Sequence, residues 1–366
     1  MTFDGENILR ELMAENGLDA IALVPGANFR QVYNKSFYQN ERALVVLLQR
    51  EGGSLAVVPA LEAASFDLIG FDGEAIHWRD NDGADGAFAA LADHCSPARI
   101  GVEGQTMRVM EHHGLKRAFP DADIIDMHKA ISSALRLNKA DADIALMRRA
   151  IAISEDALQR TFKEVRIGQS ETEIESLLLK NLFAAGAEGM AFAPIVAAAD
   201  NSYRPHAKAR ADYAVQAGDA LLFDFGASFG GYMADITRTV FVDHCPDEAR
   251  AVYDTVLSAN TAGREAARPG LSAHDLDDIV LGVLEASPYA EFIRTKTGHG
   301  LGRDVHEDPY IMRGNHQLLE PGMVFTIEPG LYLPNRFGVR IEDDMLITGD
   351  GADSLTTFTR EVVLVG

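Results

Sequence analysis

Gly218-Asp219-Ala220-Leu221-Leu222-Phe223-Asp224-Phe225-Gly226 and Gly322-Met323-Val324-Phe325-Thr326-Ile327-Glu328-Pro329-Gly330 share one pattern. Each has a glycine turn, an apolar strand, an acid at the sixth position after the glycine, and a second glycine. Upstream, Gly168-Gln169-Ser170-Glu171-Thr172-Glu173-Ile174 echoes Gly270-Leu271-Ser272-Ala273-His274-Asp275-Leu276. The glycine turns lie 50 residues apart in the first copy and 52 in the second. A fixed internal period implies two copies of one supersecondary unit. Each copy reads as helix, loop, strand, acid, hairpin. Packed about a pseudo-two-fold axis, the copies set Asp224 facing Glu328, and Asp235 facing Glu342. His299 has no counterpart in the first copy.

These five residues sit in short distinctive phrases: Asp224 in FDFG, Asp235 in MADITRT, His299 in GHGLG, Glu328 in TIEPG and Glu342 in VRIED. Four carboxylates and one imidazole suit a pair of hard divalent cations such as Mn²⁺, with Co, Fe or Zn as alternatives. Two such ions about 3.5–4 Å apart hold and activate a water, which is hydrolase chemistry. The segment from Asp224 to Thr239 reads as a hairpin with Gly230-Gly231 at its turn, whose legs bring two acids near one cation. A lone acid on an apolar strand is costly unless paired or metal-bound, so Asp224 inside LLFDFG reads poorly as a surface acid. Three glycines around His299 let the backbone approach closely and aim the imidazole into a site. His306 and His206 lie near these phrases and are candidate substrate-facing groups.

The formal charge of −22 disfavours nucleic acid and anionic membranes as partners. The composition is that of a globular chain, and 366 residues favour about two domains. Cys95 and Cys245 fall in different predicted domains, which predicts no disulfide framework and a reducing cytoplasm. The opening MTFDGENILRELM has neither a basic n-region nor an apolar h-region, so no signal peptide is predicted. The apolar strands are too short to cross a bilayer.

Residues 1–132 alternate strands and helices, an α/β domain without a ligand cluster. Helices are predicted at 7–16, 87–93 and 107–118. Strands are predicted at 19–24, 99–102 and 123–126, and a hairpin joins 43–48 to 54–58 across Glu51-Gly52-Gly53. Residues 133–366 form the second domain. Long helices are predicted at 140–164 and 170–185, the latter with Ser170 and Glu173 as a capping box. The second copy has corresponding helices near 247–267 and 272–287. The expected fold is helices on a curved, mainly antiparallel sheet, with the acids on its inner face.

The five phrases, in this order and spacing, resemble the pita-bread metallopeptidases: prolidase, aminopeptidase P, methionine aminopeptidase and the metal-free creatinase. The resemblance covers about residue 140 to the end, and more loosely the N-terminal domain, where Asp19 to Asn28 resembles the opening of a creatinase-like domain. Val32-Tyr33-Asn34-Lys35-Ser36-Phe37 departs from the aromatic-leucine-threonine-glycine phrase usual there. The N-terminal domain and Gly338-Val339-Arg340-Ile341-Glu342-Asp343 point to the prolidase and aminopeptidase P branch, whereas Gly302-Arg303 is similar to methionine aminopeptidases.

The resemblance implies a two-metal ligand set of Asp224, Asp235, His299, Glu328 and Glu342. Asp235 and Glu342 bridge the ions, Asp224 holds one, and His299 with Glu328 holds the other. A water between the ions, deprotonated, attacks the scissile carbonyl of an Xaa-Pro bond, and Glu328 carries the proton to the leaving nitrogen. His206 and His306 are expected to hydrogen-bond the tetrahedral intermediate. Arg340 is expected to orient Glu342, to bind a substrate carboxylate, or to form a structural salt bridge. The resemblance further implies a homodimer acting on small peptides. Alternatives are a hydrolase of a non-peptide amide or amidine, methionine-aminopeptidase-like activity, and an inactive binding module on the same fold.

Overall fold

A computed structural model describes residues 3–366. The chain divides into two compact units, Met1–Arg136 and Leu137–Gly366. The helix His128–Arg136 runs through position 132, so the division falls at the end of that helix.

The first unit is a six-stranded mixed sheet. Its order is Gly73–Trp78, Ser54–Pro59, Val45–Gln49, Ala20–Leu23, Arg99–Val102, Asp123–Asp126. The central strand Ala20–Leu23 is buried on every residue, which explains its unbroken apolar run. Its neighbour Val45–Gln49 returns antiparallel to Ser54–Pro59, the predicted hairpin. The helix Gly5–Asn16 starts where Asp4 accepts the Asn7 N–H at 3.1 Å and stops at Gly17, whose φ of 61° is left-handed.

The second unit is built twice. In the first copy, Asp141–Glu164 and Glu171–Ala184 pack on Ala220–Phe225. Met147, Ile151, Leu158, Ile174, Leu178, Phe223 and Phe225 share one core. In the second copy, Asp247–Ala266 and Ala273–Glu285 pack on Val324–Ile327, with Val252, Val256, Leu276, Val280, Phe325 and Ile327 in another core. The entry to the second helix is the same device in both. Ser170 Oγ accepts the Glu173 N–H at 3.2 Å, and Ser272 Oγ accepts the Asp275 N–H at 3.0 Å. Each of these serines also makes an isolated antiparallel bridge just upstream of the strand bearing its copy's acid, Ser170 with Ala214 and Ser272 with Leu318.

The strands match as well. Ala220–Phe225 pairs antiparallel with Ile236–Val242, Asp224 opposite Thr237. Val324–Ile327 pairs antiparallel with Asp343–Ile347, Ile327 opposite Asp343. These pairs are the centres of a four-stranded and a five-stranded sheet, antiparallel except where Ile236–Val242 meets Leu364–Val365. Between Ala227–Phe229 and Tyr232–Met233, Gly230 and Gly231 have φ of 56° and 78°, the two left-handed residues of a tight hairpin turn. No helix among the described residues is long and apolar enough to cross a membrane.

Candidate metal centre

The inner faces of these strands enclose a cavity of about 650 Å³. Its wall includes all eight residues singled out from the sequence: Asp224, Asp235, His299, Glu328, Glu342, His206, His306 and Arg340. Phe192, Ile195, Pro205, Arg294, Thr295, Lys296 and Val305 complete it. Ile195 pairs across from Asp224 and lies on the strand of the first copy that corresponds to the His299 strand. The imidazole therefore makes the two halves of the cavity chemically different.

Each acid comes from a strand end. Asp224 lies near the end of Ala220–Phe225, and Asp235 just before Ile236–Val242. Glu328 follows Val324–Ile327, and Glu342 lies between Phe337–Arg340 and Asp343–Ile347. Gly298 is required beside His299, because a Cβ there would overlap the Thr326 carbonyl oxygen. That close approach lets the His299 N–H donate to Thr326 Oγ1 at 3.1 Å. His299 Nδ1 lies 3.1 Å from the Gly300 carbonyl, which only accepts, so Nδ1 carries a proton. Nε2 is thereby turned toward Glu328 Oε1 at 3.1 Å and Asp235 Oδ2 at 3.8 Å.

The acids repel one another. Burial, then the charges of Glu342, Asp224, Asp344 and Glu328, push Asp235 well above the ordinary carboxylate range. Burial and the charges of Glu328 and Asp224 do the same to Glu342. Asp224 is raised by burial, with Arg340 opposing. Glu328 is the exception: burial works upward, but the hydrogen bond and charge of His299 hold it below the usual value. His306 is pushed down to about 4 by burial and by His299, whose ring centroid is 4.2 Å away.

A divalent cation fits this arrangement. Asp235, His299 and Glu342 offer ligand atoms that all lie within 4.8 Å of one another. Asp224 Oδ1 and Asp235 Oδ1 are buried with no hydrogen-bond partner in the protein. Buried carboxylate oxygens without a partner are costly unless a proton or a cation meets them. Oxygen donors with a single imidazole suit Mn, Fe, Co or Zn.

Behind the acids lies a buried polar layer. Thr237 Oγ1 donates to Glu342 Oε2 at 2.5 Å and accepts from Arg340 Nε at 3.0 Å. Arg340 also donates to the Tyr332 hydroxyl at 2.8 Å and to Asp224. Arg340 thus grips Asp224 directly and reaches Glu342 through Thr237. Asp344 accepts the Asp235 N–H at 3.2 Å and is itself fully buried. Sequence reasoning missed Thr237, Tyr332 and Asp344. Alternation was the available signal, since Thr237 and Asp344 each stand two residues beyond a candidate ligand, on the same side of their strands.

Comparison with known proteins places this geometry. The profile of metallopeptidase family M24 matches residues 145–349, and that of the creatinase/prolidase N-terminal domain matches residues 7–137. A putative dipeptidase of Bacillus subtilis is 32% identical over 91% of this chain and 92% of its own. The Xaa-Pro dipeptidase of Pyrococcus furiosus is 37% identical over 63% of this chain and 66% of its own. The crystal structure of a prolidase from Thermococcus sibiricus superposes with a TM-score of 0.92 at 31% identity, covering 99% of this chain and 98% of that one.

Proposed function

Because the chain belongs to metallopeptidase family M24, we propose that it hydrolyses Xaa-Pro dipeptides, using two divalent ions, most simply Mn²⁺. The observation that carries this reading is the convergence of four carboxylates and His299 from both copies of the repeat on one 650 Å³ cavity. In this reading Asp224, Asp235, His299, Glu328 and Glu342 would hold the ions, which would supply Lewis-acid polarisation and lower the pKa of a bound water.

The chain's own residues do the rest. Glu328 takes the proton of the attacking water and gives it to the prolyl nitrogen as the C–N bond breaks. It is the one acid of the cluster held below the usual carboxylate range, so it is deprotonated at neutral pH. His306, pushed down to about 4, is neutral at neutral pH, and with His206 donates a hydrogen bond to the oxyanion that forms on the scissile carbonyl. Arg340 keeps Asp224 in place, a positioning role in this reading rather than a contact with substrate. The Xaa-Pro bond is a tertiary amide without an N–H, so a site that polarises the carbonyl instead of gripping that N–H is suited to it.

We also propose that the chain works as a homodimer in the cytoplasm. Its family resemblance and its two unpaired cysteines support this. Light scattering at micromolar concentration tests the dimer.

A substrate panel tests the activity. The N-terminal residue should be released from Xaa-Pro dipeptides much faster than from longer Xaa-Pro peptides, and Xaa-Ala dipeptides should be poor substrates. Preference for longer peptides would instead make the protein an Xaa-Pro aminopeptidase. No cleavage of any of these with Mn²⁺ present would overturn the reading.

A further inference from the structure

We infer that the buried ion pair between Lys139 and Glu307 is a positioning device for His306, an inference that rests on the substrate-facing role proposed above for that histidine. Lys139 Nζ lies 2.6 Å from Glu307 Oε1, and both side chains are only 3% exposed. Two charges removed from water are costly, and an apolar pair of similar volume often stabilises a fold equally well. Stability alone therefore explains this pair poorly.

Its placement explains it better. Glu307 opens the strand Glu307–Ile311 and directly follows His306. His306 is the last residue of the bend at 302–306 that leads into this strand. His306 lines the cavity, and Glu307 turns away onto Lys139. Lys139 is itself fixed, since its N–H donates to the Gly322 carbonyl at 2.8 Å, just ahead of the helix Asp141–Glu164.

The same carboxylate organises the turn that leads into His306. Glu307 Oε2 accepts the Asp304 N–H at 3.4 Å. A Cβ on Gly302, the last glycine of the His299 phrase, would collide with Glu307 Oε1 and press on Lys139 Cε. The pair thus occupies the space that this glycine leaves open, between the phrases bearing His299 and His306. The two imidazoles meet edge to face, with their ring planes at 72°. A small rotation of the 302–307 turn would carry His306 away from both His299 and the cavity, and misplacement of a catalytic group by about 1 Å can cost up to ~10²-fold in rate.

A double-mutant cycle tests this. Lys139→Met with Glu307→Leu removes both charges and leaves neither buried alone. In the protein with His306 intact, kcat for an Xaa-Pro dipeptide should fall about 10-fold, with KM and Mn²⁺ affinity by calorimetry unchanged. The His306 ring-proton resonances, assigned by their loss in His306→Ala, should shift. In the His306→Ala background the same two substitutions should change kcat less than about two-fold, because the device then has nothing to position. Equal fold losses in both backgrounds, or no loss in either, would overturn the inference while leaving the role of His306 intact. If His306→Ala alone leaves kcat unchanged, the proposed role of His306 fails and this inference falls with it. Glu307→Gln, which keeps the shape, enters the same cycle with the same outcomes if the apolar pair does not fold.

Discussion

Glu342→Gln separates a metal ligand from a structural acid, because the two roles predict opposite signs in the metal-free protein. Glu342 is buried among Glu328 and Asp224, and its charge is disfavoured there. Glutamine is nearly isosteric, and its carbonyl oxygen can still accept from Thr237. Without metal, the variant should therefore be as stable as the parent or slightly more so. With metal the order should reverse. A ligand at 100 times its Kd stabilises the folded state by ~2.7 kcal/mol per site. The unit Leu137–Gly366, at ~2.1 cal/mol/K per residue, unfolds with an entropy of ~0.5 kcal/mol/K. Each filled site should then raise Tm by roughly 5–6 °C, and two sites by about 11 °C. The parent should show the full shift in a Mn²⁺ titration followed by calorimetry. Glu342→Gln, lacking one of the ligand charges, should lose at least half. A metal-free variant several degrees less stable than the parent, yet with the parent's full Mn²⁺ shift, would refute the reasoning.

Three further outcomes follow from the same geometry. His299→Ala should lower metal occupancy along with rate, whereas His306→Ala should keep both metals and lose ~10²–10³ in kcat; metal analysis and steady-state kinetics on each variant decide this. Thr237→Val takes a hydrogen bond from Glu342 and another from Arg340, and should weaken Mn²⁺ binding by about 10-fold or more in a calorimetric titration. The third concerns pH. Asp224, Asp235, Glu342 and Asp344 all have folded-state pKa values above their ordinary ones. The metal-free folded protein therefore holds more protons than the unfolded chain once pH passes the ordinary carboxylate pKa of ~4. Its stability should fall as pH rises from there toward neutrality. His306, shifted down, opposes this between about 4 and 6.5, and Glu328, also shifted down, opposes it only near and below the ordinary carboxylate value, so the four raised acids set the trend toward neutrality. Denaturant melts across that range, with and without Mn²⁺, should show the fall only in the stripped protein.

The repeat was the legible part of the fold because its signals are local. Serine caps at 170 and 272, glycine turns at 218 and 322, and apolar strands ending in acids each act within a few residues of sequence. Arg99–Val102 and Asp123–Asp126 could be read to the residue for the same reason. Four α-helices and strands of the first unit were not anticipated, the short helix Ala63–Asp67 among them. Ala27–Tyr33 is a helix that buries Asn28, which donates to Glu103 Oε1 at 2.9 Å, a partner distant in sequence. Gly73–Trp78 is an exposed edge strand without apolar alternation. His128–Arg136 carries its apolar stripe, Ile131 and Leu135, on too few turns for the period to stand out.

In the site, the acids and His299 were visible because each sits in apolar or glycine-rich surroundings that make a polar residue conspicuous. The cavity wall of Phe192, Pro205, Thr295 and Lys296 was not, since only tertiary folding brings these loop residues together. The grip of Arg340 on Asp224 was hidden likewise, as it joins strands from different copies of the repeat.

The central claim is that two divalent ions in this cavity are needed to cleave an Xaa-Pro bond. The direct measurement is proline release from an Xaa-Pro dipeptide by thoroughly chelated protein, titrated with Mn²⁺. The account predicts no release at the start and a rate that saturates at two equivalents of metal per chain. Full activity in the chelated protein, or saturation at a single equivalent, would contradict it.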